Sequence, residues 1–248
     1  MTGRDEGGGH TVGHLLGGRV RYAQPLHGFR SGIEPVLLAA SIPARTGDRV
    51  LEGGTGAGAV LLCLAARVPG VLGVGVERDG TLVSLARQNA AANGWADLSF
   101  IEADMAALPE TRTFDHGCAN PPYHHPAGTP SPDAARESAK RAGADVLDVW
   151  AGALASRLRP RGTLTFILPG AMLPTCMAAF ASAGCSVTAI LPLWTRAGRQ
   201  ARLVLLRGEK GRRAPFRVLP GLVLHAAAGS GFTPAAEAIL RGGEALAL

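Results

Sequence analysis

The sequence predicts an α/β fold with a doubly wound, mostly parallel sheet, and three observations predict it. Short apolar runs alternate with longer segments of helical periodicity along most of the chain. The first strong run, 49–52, enters Gly53-Gly54-Thr55-Gly56-Ala57-Gly58 and then an apolar helix, 59–67; strand, glycine loop and helix form the entry unit of such a sheet. Four successive strand-like runs end on a glycine or a polar residue. In a parallel sheet those ends gather on one edge, where ligands bind.

At 248 residues the chain is long enough to bury a core without disulfides or metals. Its formal charge of +6 permits a polyanionic partner without requiring one. The four cysteines, Cys63, Cys118, Cys176 and Cys185, are scattered and form no Cys-x-x-Cys pair. They predict reduced, buried thiols in a cytoplasmic protein. No apolar run reaches the length of a membrane span. The sequence sets no oligomeric state and shows no internal repeat.

In chain order, residues 1–13 are Gly-rich and polar and predict a flexible start. The rest reads as one domain, 14–248, with an N-terminal arm (14–46) and a basic C-terminal extension (208–248). Within the arm, 15–24 alternates around Gly17-Gly18 as a hairpin or extended segment, and a helix follows at 35–41, with Pro35 suited to its first turn. The arm reads either as a plain wrap over the domain or as a wall of a ligand pocket. A second strand, 71–76, ends at Glu77 and leads into a helix, 79–92. A carboxylate closing the second strand of this unit is placed to accept hydrogen bonds from ribose hydroxyls, and it would repel a 2′-phosphate. A third strand, 98–101, ends in Glu102-Ala103-Asp104.

The fourth strand, 114–119, stops on Asn120-Pro121-Pro122-Tyr123. Proline fixes φ and removes a donor, so these residues leave the strand in a set pose. The Asn120 side chain offers a carbonyl acceptor and an NH2 donor, Pro121 offers a backbone carbonyl, and Tyr123 offers a flat apolar face. Together they suit a planar group bearing an NH2. A lone Asn-Pro-Pro-Tyr also reads as a strand-ending turn. A Pro-rich loop follows, with His124 and His125; adjacent histidines rarely converge on one ion, and no metal is predicted. A helix at 134–157, a strand at 162–168, a helix at 172–182, strands at 186–194 and 200–207 and a short helix at 235–241 complete the reading. From 196 to 217 the chain carries Arg196, Arg199, Arg202, Arg207, Lys210, Arg212, Arg213 and Arg217 against Glu209 alone. Cations of one sign spaced on a loop and tail fit a phosphate-backbone footprint, or simply a solvated surface.

The Asn120–Tyr123 motif resembles the Asn-Pro-Pro-Tyr/Phe signature of the amino-directed, S-adenosylmethionine-dependent methyltransferases. The stretch from Glu52 through Gly54, Gly56 and Gly58 is similar to their acidic-x-Gly-x-Gly-x-Gly loop, with Glu52 where members often carry Asp. The resemblance implies a Rossmann-like class I fold: a seven-stranded, mostly parallel sheet whose last strand is antiparallel. It implies S-adenosyl-L-methionine as cofactor, held by Glu52, Gly54, Thr55, Gly56, Gly58, Glu77, Asp104 and Asn120, with Asp104 accepting from the adenine amine. It makes Asn120, Pro121, Pro122 and Tyr123 the catalytic set.

Beyond that core, LGGRVRYAQPLHGFRSGIEPVLLAA at the front, NPPYHHPAGTPSPD in the middle and RGEKGRRAPFRVLPGLVLH with FTPAAEAILRGG at the end resemble the bacterial tRNA(Val) adenine-N6 methyltransferases that modify the adenine beside the anticodon. The resemblance implies tRNA as partner, with Tyr123, Arg196, Arg199, Lys210, Arg212 and Arg213 toward RNA. The wider group sharing the motif also methylates glutamine-N5 of release factors and guanine-N2 of ribosomal RNA. A non-catalytic RNA-binding module on the same fold is the reading of another class.

Overall fold

The computed structural model describes residues 3–4, 9–26, 32–108, 113–122, 145–212 and 214–248. Tyr123, His124, His125 and Arg213 lie outside the described residues.

Strands β1 (Gly3–Arg4), β2 (His10–Leu15) and β3 (Val20–Pro25) form a small antiparallel sheet. β2 reaches back to His10, so backbone pairing takes in residues that the Gly-rich composition assigned to a flexible start. Helix α1 (Glu34–Ser41) follows with Pro35 in its first turn, where a missing N–H costs nothing. The main sheet begins with β4 (Arg49–Gly53), α2 (Ala59–Arg67), β5 (Leu72–Glu77), α3 (Gly80–Ala92), β6 (Leu98–Glu102) and β7 (Phe114–Ala119). A helix over 145–156, α4, leads into β8 (Leu158–Pro169), α5 (Leu173–Ser182), β9 (Cys185–Trp194) and β10 (Leu203–Lys210). The extension adds β11 (Arg217–Val218), β12 (Leu222–Val223) and α6 (Pro234–Leu240).

The strand order is β11-β9-β10-β8-β7-β4-β5-β6, with β12 also on β9. β4 to β8 pair in parallel, and β10 runs antiparallel between β8 and β9. The expected seven strands are therefore present with the antiparallel strand as the last of them, but the described sheet has nine. Two short strands of the extension are added along the outer edge of β9. Sequence reasoning missed them because two-residue strands leave no period to read.

Two other expectations are corrected. β10 starts at Leu203, not at 200, because the Arg202 carbonyl is taken by the Gly170 N–H at 2.9 Å and closes the loop beside the end of β8. β8 starts at Leu158, not at 162, because its pairing with β7 jumps in register there, with Arg161 at φ 66 in the irregular stretch.

The sheet is covered on both faces. One apolar layer joins α1, α2, α3, α6 and β3 (Leu37, Leu61, Leu64 and Ala86 are fully buried); the other joins α4 and α5 (Leu147, Leu154 and Phe180). Burial on both faces explains why the central strands are near-continuous apolar runs rather than alternating ones. The four cysteines are all buried and free, and burial raises the pKa of each, which makes them inert packing groups.

At the sheet edge away from the glycine loop, His116 joins three segments. Its Nδ1 meets Thr163 Oγ1 at 2.8 Å and its Nε2 meets Asp48 Oδ2 at 3.2 Å. Burial lowers its pKa below the ordinary 6.5, against the opposing pull of Asp48. An unfolded chain therefore takes up this proton first as pH falls, so the contribution is present above about pH 6.5 and is lost below it. The His116→Gln variant is expected to lose about 1 kcal/mol at pH 7.5. Urea unfolding should show its deficit relative to wild type narrowing at pH 5; a deficit that grows on acidification contradicts this account.

Candidate active site

The edge formed by the C-terminal ends of β4, β5, β6 and β7 carries the residues singled out in the sequence. Gly53, the last residue of β4, pairs with Val76 on one side and Ala119 on the other. The glycine loop therefore emerges between Glu77 and Asn120. Neighbouring strands stand about 4.8 Å apart, so the three chain ends share one small area.

The loop is left-handed at alternate positions: φ is 64 at Gly54, 55 at Gly56 and 90 at Gly58. A side chain at Gly56 would meet nothing within 4 Å, so that face is open. One at Gly54 would lie 2.4 Å from the Trp150 ring, which α4 lays directly on the loop. The loop is tied to β5 by the Thr55 N–H, which donates to the Val76 carbonyl at 3.0 Å.

Glu77 fixes the open side. One carboxylate oxygen accepts from the Gly56 N–H at 3.1 Å; the other accepts from the N–H groups of Arg78 at 2.9 Å and Asp79 at 3.1 Å. The result is a half-buried anion of set orientation at the end of β5. Three of the roughly four lone-pair sites are taken, so Oε2, the oxygen facing Gly56, keeps acceptor capacity.

Glu52 sits differently. Its carboxyl is 2 % exposed, beneath the loop rather than on its open face, and accepts from Thr55 Oγ1 at 2.6 Å. Thr55 is itself buried. Burial pushes the pKa of Glu52 up to about 8, although the Thr55 hydrogen bond works against it. This pair braces the loop from behind.

Asp104 is exposed at the end of β6 and accepts from the Ala106 N–H at 2.8 Å, capping a short turn. Met105, the next residue, packs its side chain against Gly53. At the end of β7, Asn120 is half-buried, Pro121 buried and Pro122 exposed. Tyr123, the fourth member of the motif, is outside the described residues.

The basic cluster that looked continuous in the sequence is divided in space. Arg196, Arg199 and Arg202 lie on the β9–β10 loop, level with the ends of β8 and β9, on the active-site edge. β10 then runs antiparallel and carries the chain to the opposite edge. There Lys210 Nζ donates to the carbonyls of Ser156 and Leu158 at 3.2 and 2.8 Å, and Arg212 pairs with Glu209 at 2.9 Å. Between the two groups, Arg207 is buried and donates to Ser41 O and to Leu248 O, so it is a core cation and not a surface one.

Sequence reasoning missed two residues at the loop. Trp150 gave no signal, because a tryptophan on a helix reads as core. Asn89 is buried in α3; its amide pairs with both backbone groups of Ala23 at 2.8 Å and donates to Ala57 O in the glycine loop at 3.0 Å. It links the N-terminal arm to the loop, so the arm is both a wrap and a support of the site. A buried asparagine within an apolar helix face was the available signal.

Comparison with known proteins agrees with this geometry. The methyltransferase small domain family matches residues 34–149. The tRNA1(Val) (adenine(37)-N6)-methyltransferase of Aeromonas hydrophila is 33% identical over 186 residues, 74% of this chain and 78% of that protein. The enzyme of the same name from Aeromonas salmonicida is 33% identical over 208 residues, 82% and 85% of the two chains. Among solved structures, a predicted O-methyltransferase from Agrobacterium tumefaciens superposes with a TM-score of 0.73 at 22% identity, covering 87% of this chain and 99% of that one, a likeness of fold. The glycine loop, the proline-stopped strand and this level of identity over most of both chains lead to one assignment: the chain belongs to the tRNA1(Val) (adenine(37)-N6)-methyltransferase family.

Proposed function

We propose that this protein methylates the exocyclic N6 amine of an adenine in tRNA, at the position beside the anticodon of tRNA(Val), with S-adenosylmethionine as methyl donor. The observation that carries the reading is the emergence of Asn120 and Pro121 one strand away from the open glycine loop. The names of the Aeromonas relatives support the substrate. A tRNA substrate carries with it a cytoplasmic location. Among the described residues no helix is long and apolar enough to cross a membrane.

The cofactor fits the residues present. The Glu77 carboxylate is held by backbone donors in a fixed pose with capacity left on Oε2 for a ribose hydroxyl, and the face over Gly56 is open. Asp104, exposed at the next strand end, is an acceptor for an adenine amine. Gly54, Thr55 and Gly58 shape the cradle and Glu52 holds Thr55 from below. Bound there, S-adenosylmethionine supplies an electrophilic methyl group on a sulfonium.

The residues at the end of β7 then serve the acceptor. An exocyclic adenine amine is a poor nucleophile because its lone pair is delocalised into the ring. Asn120 Oδ1 and the Pro121 carbonyl each accept one amine hydrogen, which favours a localised lone pair and aims it in line with the departing sulfur. This is positioning plus directed hydrogen bonding, and it needs no strong base. The methyl group would pass from sulfur to this nitrogen, and the proton the nitrogen then sheds would stay hydrogen-bonded to Asn120 Oδ1 until it is lost to water. Tyr123 stacks on the base, which must first leave any stack it belongs to.

Methylation with labelled cofactor of total tRNA and of release factor, followed by nucleoside analysis, tests the reading. Label in N6-methyladenosine is expected; label in glutamine or in N2-methylguanosine contradicts it. Asn120→Ala is expected to slow transfer by about 100- to 1,000-fold while cofactor Kd stays near wild type. Parallel loss of both would mean that Asn120 serves the cofactor and not the base. Glu77→Ala is expected to raise the cofactor Kd by about tenfold or more, the worth of a charge-assisted hydrogen bond, measured by calorimetry without any tRNA present.

A further inference from the structure

We propose that the β9–β10 loop is a phosphate-binding subsite for the RNA strand that carries the target adenine, formed by Arg199 and Arg202 and braced by Arg196. The proposal rests on the tRNA reading above and narrows it to one side of the molecule.

The three arginines differ in what they do. Arg196 is committed to the fold: its guanidinium donates to the carbonyls of Ala226 and Gly229 in the C-terminal extension. The extension is in turn fixed along β9 and around its end, with the Leu224 N–H donating to Trp194 O at 2.7 Å and the His225 N–H to Thr195 O at 3.0 Å. The other end of the loop is closed on β8 by the Gly170 N–H to Arg202 O bond, 2.9 Å. A loop pinned at both ends presents its remaining cations at low entropic cost.

Arg199 and Arg202 are exposed. Among the described residues neither forms an ion pair. The segments against which the loop is held, 169–173 and 224–233, contain no Asp or Glu. Together with Arg196, Thr195 and Gln200 the two line an open cleft of about 530 Å³. Uncompensated guanidinium groups beside neutral donors suit phosphate oxygens. The strand order β7-β8-β10-β9 puts this cleft roughly 14 Å from Asn120 along the same edge, at about 4.8 Å per strand. That is within reach of nucleotides flanking a base held at Asn120.

Lys210 and Arg212 do not share this role. They stand at the far end of β10 and are engaged with backbone carbonyls and with Glu209. The footprint is therefore the active-site half of the basic stretch.

The test uses the full chain and an anticodon stem-loop RNA, with Kd measured by fluorescence anisotropy across a salt series. The double variant Arg199→Ala/Arg202→Ala is expected to weaken binding and to reduce the slope of log Kd against log salt by roughly 1.4, two single-strand phosphate contacts. Arg199→Lys/Arg202→Lys should restore most of the slope, which a purely structural role would not predict. The far-edge variant Arg212→Ala should leave it unchanged. Cofactor affinity and melting temperature should be the same in all four proteins. An unchanged slope in the first variant, or an equal loss in the far-edge variant, overturns the proposal; the former would leave an acidic protein as the cleft's partner. Wild-type RNA binding with the expected slope but no N6-methyladenosine would sink the functional reading and leave this subsite standing.

Discussion

The rest of the site depends on a carboxylate held by backbone. Glu77 grips the Gly56 N–H from the end of β5 and is itself gripped by the first N–H groups beyond the strand. This locks the glycine loop to the neighbouring strand and presents a fixed anion on the open side of the loop, where the proposed cofactor would place its ribose. The loop takes this shape because alternate glycines accept positive φ, which a side chain at those positions would resist. From behind, the buried Glu52–Thr55 pair holds the same loop, and from the front Trp150 covers Gly54. Three separate segments thus converge on six residues of backbone.

Much of this was legible in the sequence. Helix α2 and strand β7 fall where the apolar runs placed them, and β4, β5 and β6 end on the residues expected to line the edge. The inner strands β4, β5 and β7 and helix α2 are buried nearly throughout, and continuous apolar runs bounded by glycine or charge are the plainest signal a chain gives. The role of Glu52 was less legible. Its spacing in the motif says that it belongs to the loop, but not that it faces inward; that follows from the hydroxyl of Thr55 three residues on, which offers a buried partner.

What the sequence concealed was mostly the consequence of chain reversal. A run of cations from 196 to 217 looks like one patch because residue number runs in one direction. An antiparallel strand through its middle sends the two halves to opposite edges and buries Arg207 between them. The β-extension was hidden for a related reason: β11 and β12 are held by an existing strand, β9, and need no period of their own. Asn89 was hidden because its partners, Ala23 and Ala57, are far from it in sequence.

The position of the cofactor's ribose relative to Glu77 decides whether this edge is the methyl-transfer site. A crystal structure of the complex with S-adenosylhomocysteine measures this directly. The predicted result has the Glu77 carboxylate hydrogen-bonded to the ribose hydroxyls, the loop closed over Gly56, and the sulfur facing the Asn120 side of the edge. A ribose bound elsewhere, with Glu77 still engaged by backbone N–H groups alone, would contradict it.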